Sequence, residues 1–328
     1  MIHNTNTLKL TKTKIDYHHD HMRLSANALK CKIPVIRWFF CFLLIQPFIS
    51  FAQSYDGLTP LENHQTNTYY SSGAAKQAEE MAMRCDRVMS FYKSHIGFQP
   101  AVTLLVLSES DWNSYTDFPL YGMPHYSNKN TLVVASHDND FWKSFIPPLD
   151  MMPKELTAQI TETYSNKNGG LTMRGFFDLL AIHELGHVYH EQGGLTMQRK
   201  WMGELFANIL LHTYIAEQEP ELLPLLTAFP KMVVSTTDKS TLKFTTLNEL
   251  ETNYDIITQQ YPNNYGWYQS RWHIAAGDIY DDGGVQTIKN LWNTLKTHEE
   301  LLDNSSFESV LLNQVHQSVA EVQLKWDD

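Results

Sequence analysis

The chain has 328 residues, with 25 basic and 36 acidic side chains, a net charge of −11, 43% hydrophobic and 12% aromatic content. That apolar fraction supports a sizeable core and excludes a chain too polar to fold. The acidic balance argues against nucleic-acid binding and against adhesion to anionic membranes.

Residues 1–32 are polar, with six basic side chains and only two acids, Asp16 and Asp20. An apolar run from Val35 to Ile49 follows, then small residues at Ser50 and Ala52. A basic lead, a short apolar stretch and small residues together spell a secretory signal peptide cleaved after about Ala52, and a start at Met22 would give it conventional length. A membrane anchor is the competing reading. Its uncharged part, Trp38 to Ile49, is about twelve residues against the roughly twenty that a span requires, and Pro47 interrupts its end. Residues 53–328 are therefore expected to be one secreted or periplasmic domain, with no stable membrane span once the signal is removed. Loss of seven basic and two acidic side chains takes the net charge from −11 to about −16. Of three cysteines only Cys85 stays, so no intramolecular disulfide can form.

Residues 53–71 read as an irregular, polar lead-in. Ser72 to His95 is an amphipathic helix, with Met81, Cys85, Val88 and Tyr92 on one face. Val102 to Leu107 is a buried strand and Thr131 to Ala135 a second, edge strand. A short helix is expected near Lys154–Tyr164. From Phe176 the pattern is helical: Phe176 to Glu191, stopped by Gly193-Gly194; Gln198 to Glu217; a turn-rich segment with Pro224 and Pro230; Asn248 to Gln260; Tyr265 to Tyr280, closed by Asp281-Asp282-Gly283-Gly284; and two short helices at the end. The division is a mixed α/β lobe over 53–140 and a mainly helical lobe over 141–328, an α+β class with the apolar helix at the seam.

That helix carries His183-Glu184-Leu185-Gly186-His187. Histidines four apart project from one helix face about a turn from each other, so both imidazoles can reach one metal ion. Glu184 sits at the edge of that face, where it can deprotonate a water. Two solvated or core histidines are the alternative, opposed by the apolar run around them, where unpaired polar groups are costly. A catalytic zinc usually takes three protein ligands. His190, Glu191, Glu204, His212 and Glu217 are the candidates for the third. Residue 193 is glycine, so a third histidine at the metzincin spacing is missing. Glu204 fits best: it lies on the next helix among Met202, Leu205 and Phe206, where an acid without a partner is poorly placed. Asn208, one turn on, can support a ligand histidine through its far ring nitrogen.

His-Glu-Leu-Gly-His followed by Gly203-Glu204-Leu205-Phe206-Ala207-Asn208 resembles the gluzincin class of zinc metallopeptidases, in its aminopeptidase-related and peptidase MA-like branches. The resemblance implies a zincin-like metallopeptidase fold with the active site between the two lobes. It also implies a Zn2+ held by His183, His187 and Glu204, and Glu184 as general base. In that class a tyrosine from a later helix stabilises the oxyanion, and Tyr268, fifteen residues before Gly283, takes its place; Tyr265, Tyr261 and His273 are rivals. The amine-gripping glutamate of the aminopeptidases has no counterpart in Gly122-Met123-Pro124-His125-Tyr126. The strand Thr131–Ala135 can pair with an extended peptide. The function this implies is a secreted zinc peptidase acting on peptide or protein substrates. A zinc hydrolase with a non-peptide substrate and a metallopeptidase-like binding protein are the alternatives. Nothing in the sequence sets the number of subunits.

Overall fold

Two continuous apolar runs build the centre of the fold. Thr103–Leu107 and Thr131–Ala135 pair in parallel, Leu104 opposite Leu132 and Val106 opposite Val134. Strand side chains alternate between faces. Leu104, Val106, Leu132 and Val134 therefore enter one core, while Leu105, Leu107, Val133 and Ala135 enter a second. A sheet covered on both faces needs no polar alternation, which explains the unbroken apolar character of both runs.

The structure, a computed structural model, describes residues 55–327 apart from 129, 147 and 148. The expected signal segment, with Met22 and the cleavage position at Ala52, lies outside the described residues. No helix among the described residues is long and apolar enough to cross a membrane. In chain order the elements are β1 (Thr59–Leu61), β2 (Asn67–Tyr70), α1 (Ala75–Ile96), β3 (Thr103–Leu107), α2 (Glu109–Tyr115), β4 (His125–Ser127), β5 (Thr131–Ala135), α3 (Asp140–Ser144), α4 (Lys154–Tyr164), α5 (Arg174–Gly193), α6 (Lys200–Gln218), α7 (Leu223–Thr236), α8 (Leu247–Gln260), α9 (Pro262–Thr297), α10 (Asn304–Val310) and α11 (Gln317–Leu324). The class is mixed α+β, with the sheet order β1-β2-β3-β5-β4. Its inner pairs are parallel and its two outer pairs antiparallel.

Several elements differ from the sequence expectation. Residues 53–71 contain two strands, because β2 takes its backbone partners from β3, with Asn67 opposite Thr103, and needs no apolar run of its own. β5 is not an edge strand: β3 covers one side and β4 the other, so the open edge belongs to β4. The segment with Pro224 and Pro230 is the helix α7. Pro224 lies in its first turn, where a missing N–H costs nothing. Finally, α9 continues past Gly283-Gly284 to Thr297 and absorbs the glycine pair as a kink, with Gly284 at φ 58°.

α5 packs against β4 and β5 and against α6, and eleven of its twenty residues are buried, which is why its sequence shows little amphipathicity. Its end is built by Gly194 in the left-handed conformation: Gly194 N–H bonds Glu191 O at 3.1 Å and Leu195 N–H bonds His190 O at 3.0 Å. These two bonds close a Schellman motif. The chain reverses there and α6 returns antiparallel against α5. Gly186 makes the approach possible, since a Cβ at that position would sit 2.8 Å from Ala207 Cα. A Gly186→Ala substitution is expected to push the two helices apart, destabilising the protein by about 1–3 kcal/mol in urea unfolding.

Candidate metal centre

The helical repeat of α5 and the return of α6 place three side chains at one point. His183 Nε2 and His187 Nε2 stand 3.1 Å apart. Glu204 Oε2 lies 3.3 Å from the first and 3.6 Å from the second. His183 and Glu204 are each 5% exposed, so water does little to screen the group.

The far side of each histidine is also fixed. His183 Nδ1 donates to Asn208 Oδ1 at 3.2 Å. The Asn208 amide nitrogen is occupied by Glu204 O at 3.0 Å and Gln269 Oε1 at 3.3 Å, which keeps its oxygen turned to the ring. His187 Nδ1 meets His190 Nε2 at 3.1 Å. Burial, and after it the neighbouring His187, push the His190 pKa down to about 3. His190 is therefore neutral and accepts the His187 proton. With both Nδ1 atoms donating, both Nε2 atoms present lone pairs, and Glu204 adds a carboxylate oxygen. Three acceptors facing one another without a proton between them are stable around a cation.

Glu204 is the most heavily tied of the three. Tyr254 donates to its Oε1 at 2.5 Å and Tyr265 to the same atom at 3.2 Å. Gln269 Nε2 donates to Oε2 at 2.6 Å and to the Tyr265 oxygen at 2.8 Å. Burial alone would raise the Glu204 pKa, but His187 and His183 outweigh it and hold the carboxyl well below its usual range. Conversely, burial would lower the His187 pKa, and the Glu204 carboxylate reverses that and raises it. The two shifts agree: in the absence of a cation, a proton on His187 serves as the counter-charge.

Glu184 is half-buried beside this group. Burial raises its pKa, His183 and His187 pull it back, Glu204 adds to the rise, and the backbone amide of Tyr126 stabilises the carboxylate. Tyr126 comes from β4, the outer strand. Its ring stacks on His187, with centroids 5.4 Å apart, and its hydroxyl donates to Glu191 Oε1 at 2.7 Å. β4 is thus fastened along the flank of α5, next to the three donors.

Of the residues singled out in the sequence, His183, Glu184, His187 and Glu204 come together and Asn208 supports them. Tyr268 does not join them. Its hydroxyl donates to Thr246 O at 2.7 Å and its ring stacks on Trp326 with centroids 5.7 Å apart. The reason is helical phase: Tyr265, Gln269 and His273, at i, i+4 and i+8, form the stripe of α9 that faces the donors, and Tyr268 lies on another face. His273 stands next to His183, ring centroids 6.3 Å apart, whereas Tyr261 accepts from Lys243 Nζ instead. Glu191 is held by Tyr126, and Glu217 by Tyr280 at 2.9 Å. Sequence reasoning missed Tyr126, Tyr254 and Gln269, and weighed His190 as a third ligand rather than as the partner of His187. The one available signal was the i, i+4 spacing of Tyr265 and Gln269. Comparison with known protein families and with curated protein sequences finds no match for this chain.

These three donors could hold a metal ion. Binding is expected to release a proton, because the ligand form of His187 is the neutral one. Apparent affinity should therefore fall as the pH is lowered through the raised pKa of His187, a decline that begins above 6.5; ion titrations at a series of pH values measure it. Asn208→Ala is expected to weaken the ion roughly 10–100-fold in chelator competition.

Proposed function

We propose that the chain is a secreted or periplasmic zinc metallopeptidase of gluzincin type with a zincin-like fold. It would hydrolyse peptide bonds with Glu184 as general base. The observation that carries this reading is the convergence of His183 Nε2, His187 Nε2 and Glu204 Oε2 next to a half-buried glutamate. Two imidazoles and a carboxylate with a position left open is a donor set that suits catalytic zinc. Zinc, when bound, supplies a Lewis acid that brings the pKa of water toward neutrality and polarises a carbonyl.

The remaining work belongs to the chain's own side chains. Glu184 takes the proton of the attacking water and delivers it to the leaving amine. A carboxyl whose pKa lies above the ordinary value is closer to neutrality and so is better matched to both transfers. Tyr265 is the donor for the developing oxyanion. Its oxygen already accepts from Gln269, so its proton is free to turn from Glu204 to a substrate oxygen. Tyr254, at the shorter distance, keeps Glu204 in place meanwhile. A peptide substrate is supported by β4, whose outer edge runs beside α5 and can accept an extended chain by strand addition.

A mixed peptide library offered to the zinc-loaded protein tests the reading. Glu184→Gln is expected to retain zinc and to lose roughly 100–10,000-fold in turnover. Zinc bound without any peptide cut would sink the peptidase and favour a non-peptide hydrolase or a binding protein. Tyr265→Phe should lower kcat roughly a hundredfold with little change in KM. Tyr268→Phe should leave turnover near that of the parent and cost about 1 kcal/mol of stability, the worth of one hydrogen bond.

A further inference from the structure

The polar stripe of α9 does not end at the metal centre. α6 and α9 run parallel, with Glu204 against Tyr265 and Gln269, Asn208 against Gln269, and Glu217 against Tyr280. Between the last two pairs lies His212, 6% exposed, its ring against Gly277, where a Cβ would come within 3.1 Å of His212 Cε1. His212 Nδ1 is buried and has no hydrogen-bond partner among the described residues. His273, 7% exposed, makes ring contacts with His183 and Phe176. Leaving a buried polar group such as the His212 nitrogen without a partner is unfavourable, and His212 and His273 line the same space.

That space is a cavity of about 210 Å³, with Lys231, Asp278 and Asp281 also in its wall. At roughly 30 Å³ per water-sized group it has room for about seven such groups. Its chemistry is one-sided. Two carboxylates face one ammonium, and burial holds His212 down to about 4, so its imidazole keeps a lone pair at neutral pH. An anion would meet Asp278 and Asp281. A cation with N–H donors would meet acceptors: the carboxylates toward solvent and the imidazole nitrogens inside.

We propose that this cavity is a binding site for a small organic ammonium, a primary amine about the size of a lysine side chain, held by His212 and His273 with Asp278 and Asp281. It is separate from the metal centre and one imidazole away from it, since His273 stands between the cavity and His183. The site depends neither on zinc nor on peptidase activity.

Titration of the full chain with n-butylammonium, followed by calorimetry and by Tm, tests the site, with n-butanol and butyrate as probes of equal length. The expected result is saturable binding and a rising Tm with the amine alone. Asp281→Asn and His212→Gln are each expected to weaken the amine roughly tenfold or more. Asp281 is exposed, so its variant reports on binding even if the His212 variant folds poorly. Equal binding of butanol would overturn the proposal in favour of an apolar void. Butyrate binding instead would make it an anion site built on Lys231. Amine binding that Asp281→Asn leaves unchanged would place the ligand elsewhere and also overturn it.

Discussion

Three lone pairs pointed at one spot are the constraint to which the structure answers. Bringing His183, His187 and Glu204 within a few ångström of each other in a buried setting is unfavourable unless positive charge sits among them. The surroundings do not relieve that constraint. Asn208 and His190 hold the two rings in the form that presents lone pairs inward, and Tyr254, Tyr265 and Gln269 hold the carboxylate. Five further side chains, from α5, α6, α8 and α9, thus serve to keep three acceptors together.

The packing follows from the same demand. Glu204 reaches the histidines only because α6 lies close against α5, and that closeness rests on Gly186 facing Ala207. The Schellman turn at Gly194 reverses the chain. α9 contributes a stripe of Tyr265, Gln269 and His273, a polar seam inside what is otherwise an apolar interface. Along α6 this seam extends from Glu204 to Glu217, about 20 Å at the rise of an α-helix. Buried polar seams specify one relative register of two helices, because a shift by one residue rotates every partner by about 100° and leaves the whole row unpaired.

How much of this could be read beforehand depended on whether a feature was local. The histidines, Glu184 and Asn208 were legible because helix periodicity alone puts them on defined faces. Thr131–Ala135 and Lys154–Tyr164 were read with the bounds they have. What escaped was set by contacts between distant segments. β1 and β2 are too short and polar to announce themselves and exist by pairing with β3. The role given to Tyr268 relied on resemblance for its position along α9, but which face of a helix meets a centre is decided by rotation, and the helix is turned so that Tyr265 and Gln269 face it. Tyr254, on α8, had no signal, since nothing local says that α8 folds back against Glu204. The double-sided burial of β5 was hidden for the same reason: β4 is three residues long.

The short span of the three donors has a consequence for the order of assembly. His183, His187 and Glu204 all belong to one helical hairpin, residues 174–218, whereas the groups that orient Glu204 arrive from residues 254, 265 and 269. Closing a short loop is entropically cheap and fast compared with docking remote helices. An ion can therefore be captured by the hairpin before α8 and α9 have docked. Capture of an ion there would pin the α5–α6 crossing while the later helices search for it.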